Sequence, residues 1–600
     1  MDLLKELALK GKLIFSVIHQ PSSDIFKMFD KLFILDNGGY LIYDGNPVDS
    51  IIYFKSKVHH ANWNDSECRL CGNVNPEQVF NIVDSKILDE YGNVTQNRKI
   101  KPQEWFRHFK EMQVLPQPNS RLTENLPTNL FKIPSILKQF SVFITRDVLS
   151  KISNRQYIII NLLEAPILAF LLSFIIRYYN SSGDGYSLNE NANLPVYIFM
   201  AVIVAIFIGL SVSAEEIIKD RKIIKRERFL NLSRTSYLFS KMLILFVLSA
   251  FQAFLFVIIG NSIMGLHGMY FYYWLMLFSA WFFACLLGLN ISDTFDTVVT
   301  IYILIPFLVI PQLILSGVIV SFDKLNPVIS SPSKIPWYGE IITARWAYEA
   351  LAVHQYKNND YELLFYGYDK AMSNADYKKN YWVKTLMNKV AYCRRNFENP
   401  VRQLKVKEEL RLLKNEFAKE LAQNSKINFE YLDRLDYDQL DKEVLNKADS
   451  YLNQLNNYYL KRFNKANNLK DELINSYQTS AQGKEAFLAL KRDNTNENLT
   501  SFVRNTNSLD RIIEADGQLY QKIDPIYLDP DHKLVQAHFY APHKMVFGKP
   551  IETFWMNMIV IWCFNILLYF LLHFRILRKA LIFFSDVNDS LFTRRNKKGY

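Results

Sequence analysis

Residues 195–214 read PVYIFMAVIVAIFIGLSVSA, twenty residues without a charged side chain. A helix of about 20 residues is long enough to cross the roughly 30 Å hydrocarbon layer of a membrane. A surface helix of a soluble protein keeps a polar face, whereas this segment is apolar on all sides. The segment therefore predicts a membrane span.

Five further segments share this length and apolar character. Together the six segments predict an α-helical membrane protein with spans at Tyr157–Ile176, Pro195–Ala214, Leu238–Ile259, Met269–Leu289, Val298–Val320 and Thr553–Phe574.

Basic residues set the expected orientation of these spans. Residues 215–234 and residues 575–598 are both rich in Lys and Arg, which concentrate on the cytoplasmic side of membrane proteins. Six spans with both termini in the cytoplasm satisfy both observations and place residues 321–552 outside. The net charge of +11 is then a topology signal, so we expect membrane lipid and no nucleic acid as a partner.

Composition excludes other classes of protein. The 44 Phe and 34 Tyr exclude a disordered chain, and five Cys in 600 residues exclude a disulfide scaffold. The N-terminus has early acidic residues and no cleavage site, so it is not a signal peptide. Together with a Lys-, Asn- and Ile-rich composition, this favours an integral protein of a bacterial inner membrane.

Patterning divides the chain into five predicted parts. Residues 1–60 read as strand, helix, strand, Asn37-Gly38-Gly39 turn, strand and helix, which is the end of an α/β domain. Leucine and aromatic spacing in 356–545 predicts a long helical hairpin or coiled coil. The parts are 1–60 (α/β fragment), 61–132 (linker), 133–355 (amphipathic helix and spans one to five), 356–545 (external helical insertion) and 546–600 (span six and cytoplasmic tail).

The N-terminal string FSVIHQPSSDIFKMFDKLFILDNGGYLIYDGNP, residues 15–47, is the most specific feature. It places His19 just beyond the carboxyl end of a predicted buried strand, where α/β sheets bind ligands. From position alone, His19 is either a phosphate-contacting group or a structural loop histidine.

The same string closely resembles the switch-histidine region of ATP-binding cassette (ABC) transporters of the G type. The resemblance continues in CGNVNPEQVFNIVD (71–84), RERFLNLSRTSYLFSK (226–241), IPQLILSGVIV (310–320) and ARWAYEAL (344–351). It implies that His19 senses the γ-phosphate of ATP. It further implies that Gln20, Pro21, Ser22 and Ser23 form the nucleotide-associated loop, with ATP and Mg as cofactors of the full-length protein.

The chain departs from this family in one respect. The sequence has no GxxxxGK[ST] phosphate loop, and the family's signature loop and catalytic carboxylate are also missing. All three precede the switch histidine in the family. The interpretation is that the chain begins inside the nucleotide domain, as a truncated or mis-started reading frame, and does not hydrolyse ATP alone.

Polar residues in and near the spans are candidates for a translocation path. Glu164 either lines a path, contacts a partner subunit, or lies near the cytoplasmic interface. Asn290 and Gln312 are path candidates because the family's second and fifth spans line its path.

The charged link after span two resembles the family's coupling segment. That resemblance implies that Glu215, Glu216, Glu227 and Arg228 transmit motion to the spans; the alternative is a solvated charged helix. No metal is expected, although Cys68, Cys71, His59 and His60 have some metal-like spacing. Their other interpretation is two reduced thiols in a linker.

Two functions are open from sequence. The first is a subunit of an ATP-driven G-type transporter that exports a lipid or hydrophobic compound as a homo- or heterodimer. The alternative is a non-enzymatic membrane scaffold or permease-only subunit, whose helical insertion binds an envelope partner.

Overall fold

The computed structural model describes residues 1–60, 63–68, 72–112, 134–179, 185–230, 232–330, 334–424, 426–530 and 534–596. The chain forms two compact units, an N-terminal unit (residues 1–130) and a membrane unit (residues 131–600).

The N-terminal unit is a small α/β assembly with two antiparallel hairpins. Its elements are α1 Asp2–Leu9, α2 Ser23–Lys27, β1 Leu32–Asp36, β2 Tyr40–Gly45, α3 Pro47–Lys57, α4 Glu77–Val83, β3 Lys86–Leu88, β4 Val94–Arg98 and α5 Pro102–Met112.

The hairpin β1–β2 and the helix after it form where the sequence predicts them. Gly38 and Gly39 both have positive φ in the turn, a conformation that glycine adopts without steric strain. The side chain of Asn46 accepts a hydrogen bond from the Val48 amide at 2.9 Å and caps α3.

The prediction of a buried strand in KLIFSVI, residues 12–18, is wrong. These residues belong to no sheet, and Leu13, Phe15 and Val17 are exposed. A run that is apolar on both faces is typical of a central parallel strand with neighbours on each side. No strand in the described part of the chain pairs with it.

The predicted boundary at residue 60 also differs from the structure. Trp105 of α5 is fully buried, and its ring lies 5.1 Å from that of Phe54 in α3. Part of the predicted linker 61–132 therefore shares one core with residues 1–60.

The membrane unit has three consecutive parts along the chain. Its first part contains α6 Ile136–Ser153, α7 Arg155–Ile176, α8 Leu194–Ser213, α9 Glu216–Arg226, α10 Arg234–Met264, α11 Tyr270–Thr294, α12 Val298–Ile314, α13 Trp337–Ile341 and α14 Thr343–Lys357. The helical insertion follows with α15 Glu362–Tyr377, α16 Val383–Asn396, α17 Gln403–Gln423, α18 Lys442–Tyr477, α19 Ala481–Asn494, α20 Glu497–Val503, β5 Ile512–Ala515 and β6 Gln518–Gln521. The last part contains β7 His543–Val546, β8 Lys549–Glu552, α21 Thr553–His573 and α22 Ile576–Asn596.

All six predicted spans are helices. By length and composition, α7, α8 with α9, α10, α11 and α21 are long and apolar enough to cross a membrane. The fifth predicted span, α12, has 17 residues, or about 25 Å at 1.5 Å per residue. It ends at Ile314 rather than at Val320, so it is shorter than expected. The helical membrane fold is thus confirmed.

Spans two and four form the tightest part of this bundle. A Cβ atom at Gly209 of α8 would lie 2.6 Å from the Trp281 carbonyl oxygen and 2.8 Å from the Ala284 Cβ atom of α11. The missing side chain lets the two helix backbones approach, as small residues do between membrane helices.

The helical insertion has its own hydrophobic core. Helix α16 packs against both α17 and α18, and α15 packs along α18. Phe417 of α17 contacts Phe429 and Tyr451, with ring centroids 5.2 and 5.0 Å apart. Several helices thus share one core, in place of the long helical hairpin or coiled coil that the sequence predicts. Leu432 lies in a 3-10 turn between α17 and α18 and not in a helix of this core.

We predict that Gly209→Ala destabilises the membrane unit by roughly 1–3 kcal/mol, because the new methyl group overlaps the α11 backbone. Thermal unfolding in detergent measures the loss. The matched control is Gly367→Ala in α15, where nothing lies within 4 Å, and alanine favours helix by up to about 1 kcal/mol. Equal stability of the two variants would contradict the close packing of α8 on α11.

Candidate coupling and translocation site

A buried lysine joins three helices at the predicted inner end of the membrane unit. The Nζ atom of Lys241 in α10 lies 2.8 Å from Asp147 of α6, 3.0 Å from Glu216 of α9 and 3.0 Å from Asp220 of α9. The Lys241 side chain is 4% exposed. We call these four residues, with Lys151 of α6, the inner ion cluster.

Lys151 completes the cluster from α6. Its ammonium pairs with Glu216 at 2.5 Å and with Asp147, one turn earlier on α6, at 3.6 Å. Because residues i and i+4 share a helix face, α6 presents Asp147 and Lys151 together. Glu216 lies in the first turn of α9, where the helix dipole favours a negative charge.

Two of the four predicted coupling residues bridge to α6. Glu216 belongs to the inner ion cluster, and Glu227 accepts hydrogen bonds from Arg146 at 3.0 and 3.1 Å. Glu215 instead pairs with Lys219 on its own helix. The side chain of Arg228 lies outside the described residues. Their proposed role in coupling stays a prediction.

Sequence reasoning missed Lys241, Asp147 and Lys151. The signal for Lys241 was present, since it is a charged residue seven positions after Arg234 in an otherwise apolar 31-residue helix. A cation in such a segment pairs with other groups. Asp147 and Lys151 carry no comparable signal, because surface amphipathic helices contain many charges.

A second ionic group lies where α11 ends. Asp293 pairs with Arg234 of α10 at 3.2 Å and with Arg575, just before α22, at 3.4 Å. Asp296 pairs with Arg221 of α9 and with Arg578 of α22. The inner ends of four helices are thus connected by charges.

The three path candidates lie apart from one another. Asn290 is buried and donates to the Leu568 carbonyl of α21 at 3.0 Å, which ties span four to span six. Gln312 accepts from the Ala344 amide at 2.9 Å and so caps α14. Glu164 is half-buried on α7, and no described residue forms an ion pair with it. That these residues line a path stays a prediction.

A third charged group is buried where α14 meets the start of span six. Glu349 of α14 pairs with Lys544 of β7 at 2.8 Å and with Arg345 at 3.5 Å, and all three side chains are fully buried. Burial would raise the pKa of Glu349, but Lys544 and Arg345 hold that pKa below its usual value. Asn557 of α21 donates to the same carboxylate at 3.0 Å. This group therefore locks α14, β7 and span six together.

The predicted nucleotide loop lies in the N-terminal unit. His19 is exposed, and Gln20 has a φ of +47°. Pro21, Ser22 and Ser23 line a cleft of about 540 Å³ together with residues 73–78. The Ser23 hydroxyl accepts a hydrogen bond from the Val74 amide at 2.9 Å, and Ser22 makes no side-chain cap to α2.

These residues do not fit ATP by themselves. An exposed imidazole and two serine hydroxyls supply donors, but phosphates need a cradle of backbone amides with a lysine. The weak metal candidates are also incomplete here. Within the described residues no three His, Cys, Asp or Glu side chains are grouped for a metal, and Cys71 lies outside them.

Comparison with known proteins identifies the class of the membrane unit. Residues 138–356, from α6 to the end of α14, match the ABC-2 type transporter family. This range contains the inner ion cluster and the first five spans.

Curated relatives narrow this class. The chain is 23% identical over 387 residues to ABC transporter G family member 42 of Arabidopsis thaliana, covering 64% of this chain and 27% of that protein. It is 27% identical over 202 residues to ATP-binding cassette sub-family G member 5 of Mus musculus, covering 30% of this chain and 28% of that protein. Residues 138–356 thus contain an ABC-2 type transporter domain, and the chain is similar to ABC transporters of the G type, in agreement with the resemblance seen in its sequence.

The same relatives bear on how much of a transporter this chain represents and on the membrane in which it lies. The chain spans about a quarter of the length of these relatives. They are a plant and an animal protein, so they give no support to the bacterial inner membrane that composition suggested. That the chain is an integral membrane protein is supported by its ABC-2 domain and its apolar helices.

We predict that Lys241→Met destabilises the membrane unit by about 3–5 kcal/mol, because Asp147 and Glu216 lose the more deeply buried of the two lysines that pair with them. Unfolding in detergent, followed by circular dichroism, measures this loss. The control Lys219→Met removes a 68% exposed ammonium from its Glu215 pair and should change stability by less than about 1 kcal/mol. A Lys241→Met protein as stable as the control would show that the cluster does not hold the helices together.

Proposed function

We propose that this chain is the membrane-spanning part of an ATP-driven G-type transporter. The observation that carries the proposal is the match of residues 138–356 to ABC-2 type transporters. The inner ion cluster supports it, because α6 and α9 are joined to the first turns of span three by buried ion pairs. Displacement of α9 would therefore move α10 with it.

The nucleotide must be held by residues in addition to those of the N-terminal unit. His19 and its loop would contribute one edge of a site that another segment or subunit completes. We propose a dimer, homo- or heteromeric, because the G-type half transporters that this chain resembles form their path between two bundles. A lipid or hydrophobic compound is the proposed cargo, since the spans are apolar with few charges.

A non-enzymatic scaffold is the second candidate. The observation that favours it is the separate hydrophobic core of the helical insertion, which is suited to a binding module. In that function the insertion binds an envelope partner and the spans serve as its anchor.

We predict that reversing the pair Arg146–Glu227 uncouples transport. The two side chains are 40% and 30% exposed, so Arg146→Glu or Glu227→Arg should leave the fold intact. Each single variant should lower ATP-stimulated movement of a fluorescent phospholipid by about tenfold, the size of a typical coupling energy. The double variant restores the pair and the activity. Inside-out vesicles from cells that produce the protein give the measurement.

The control Lys414→Glu breaks an exposed pair with Asp436 in the helical insertion and should keep full activity. Single variants as active as the control would contradict a coupling role for the pair. Vesicles that contain the unaltered chain together with the segment or subunit that completes its nucleotide site, and that still show no ATP-stimulated movement of any hydrophobic compound, would contradict the transporter and favour the scaffold.

A further inference from the structure

The chain turns sharply where span six ends. Arg575 has a φ of +54°, a left-handed conformation that is uncommon for a residue with a side chain. Helix α22, 21 residues long, begins at the next residue. It therefore starts a new direction instead of continuing α21.

The polar side of α22 is fixed to the protein. Arg578 donates to the Asp293 carbonyl at 3.4 Å and pairs with Asp296 at 3.4 Å. Arg575, just before the helix, pairs with the Asp293 carboxylate. These contacts hold the first turn against the end of α11.

The opposite side of α22 is apolar and uncovered. At 3.6 residues per turn, Ala580 lies at the centre of an arc that is distinct from the arc of Arg578. Within residues 576–586, the large side chains on this arc are 38–70% exposed: Ile576, Leu577, Leu581, Phe583 and Phe584. Ile582 is exposed on the polar side. Lys579 is also exposed and flanks the apolar arc.

The position of α22 determines what covers this face. His573, the last residue of α21, is three residues from Ile576, so the first turn of α22 lies within about 10 Å of the end of a membrane span. This depth is the headgroup region of a bilayer. An amphipathic helix lies in that region with its apolar face in the acyl chains and its polar face toward the headgroups; the polar side of α22 carries both Lys579 and Asp586.

We propose that α22 is an interfacial helix that lies in the surface of the leaflet at the end of span six and binds anionic lipid headgroups through Lys579. The predicted orientation makes this the cytoplasmic leaflet, where anionic lipids concentrate. Arg594, Arg595, Lys597 and Lys598 continue the basic character of this end of the chain. This interaction would hold the inner end of span six at the membrane surface. It does not depend on the proposed transport activity.

Spin labels on the full chain in proteoliposomes test this placement. Nitroxides are attached to Ala580→Cys, on the apolar arc, and to Asp586→Cys, on the polar side, after the five native cysteines are replaced. We expect the label at 580 to collide with oxygen and to be shielded from a soluble nickel chelate, and the label at 586 to show the reverse. Adding phosphatidylserine to phosphatidylcholine should increase this contrast.

The charge is tested by Lys579→Gln combined with the label at 580. In this variant we expect phosphatidylserine to cause no increase in the contrast between oxygen and nickel access. The label at 580 should still be more accessible to oxygen than to the nickel chelate. Nickel access at both labelled positions would overturn the proposal, because the helix would lie in water. Shielding of position 580 from both reagents would also overturn it, because a protein surface such as a second copy would then cover the face. A contrast that phosphatidylserine leaves unchanged would overturn the headgroup assignment.

Discussion

The membrane unit depends on the burial of Lys241 among carboxylates from two other helices. A lone ammonium is costly to bury, so α10 is held in place only when Asp147 of α6 and Glu216 of α9 lie beside it. The same ion pairs connect α9, which follows span two, with the start of span three. Apolar side chains gain little free energy by contacting another membrane helix instead of lipid, because lipid is as apolar as leucine. Buried charge supplies the specificity that packing alone lacks.

The buried charged group around Glu349 plays the corresponding part where the helical insertion returns to the spans. Glu349 of α14, Lys544 of β7 and Asn557 of α21 come from distant parts of the chain and are all fully buried. The group connects a segment that follows span five with the start of span six. The membrane unit is thus tied by ionic contacts at both ends, with the apolar helices α8 and α11 packed between them.

Sequence patterning was sufficient for elements whose signal is local. Run length located the helices of all six predicted spans, five of which are long and apolar enough to cross a membrane. The Asn37-Gly38-Gly39 turn and the Asn46 cap located the first hairpin and α3. It was insufficient where structure depends on distant partners. Residues 12–18 have the composition of a buried strand but no neighbour in the described chain to pair with. Among site residues, Glu216 was proposed as a coupling residue from the sequence, whereas its partner Lys151 is 65 positions away and has no marker of its own. Arg345 is likewise fully buried, because Glu340 and Glu349, five positions before it and four after it, compensate its charge.

The division of the chain across the bilayer is the claim on which the rest depends, and cysteine accessibility tests it most directly. Lys426 in the helical insertion and Lys579 after span six are both exposed, so each is replaced singly by cysteine in a cysteine-free protein. In sealed cells a membrane-impermeant maleimide should label position 426 and should reach position 579 only after the membrane is opened. Labelling of both positions in sealed cells, or of neither, would place them on one side and contradict the six-span arrangement.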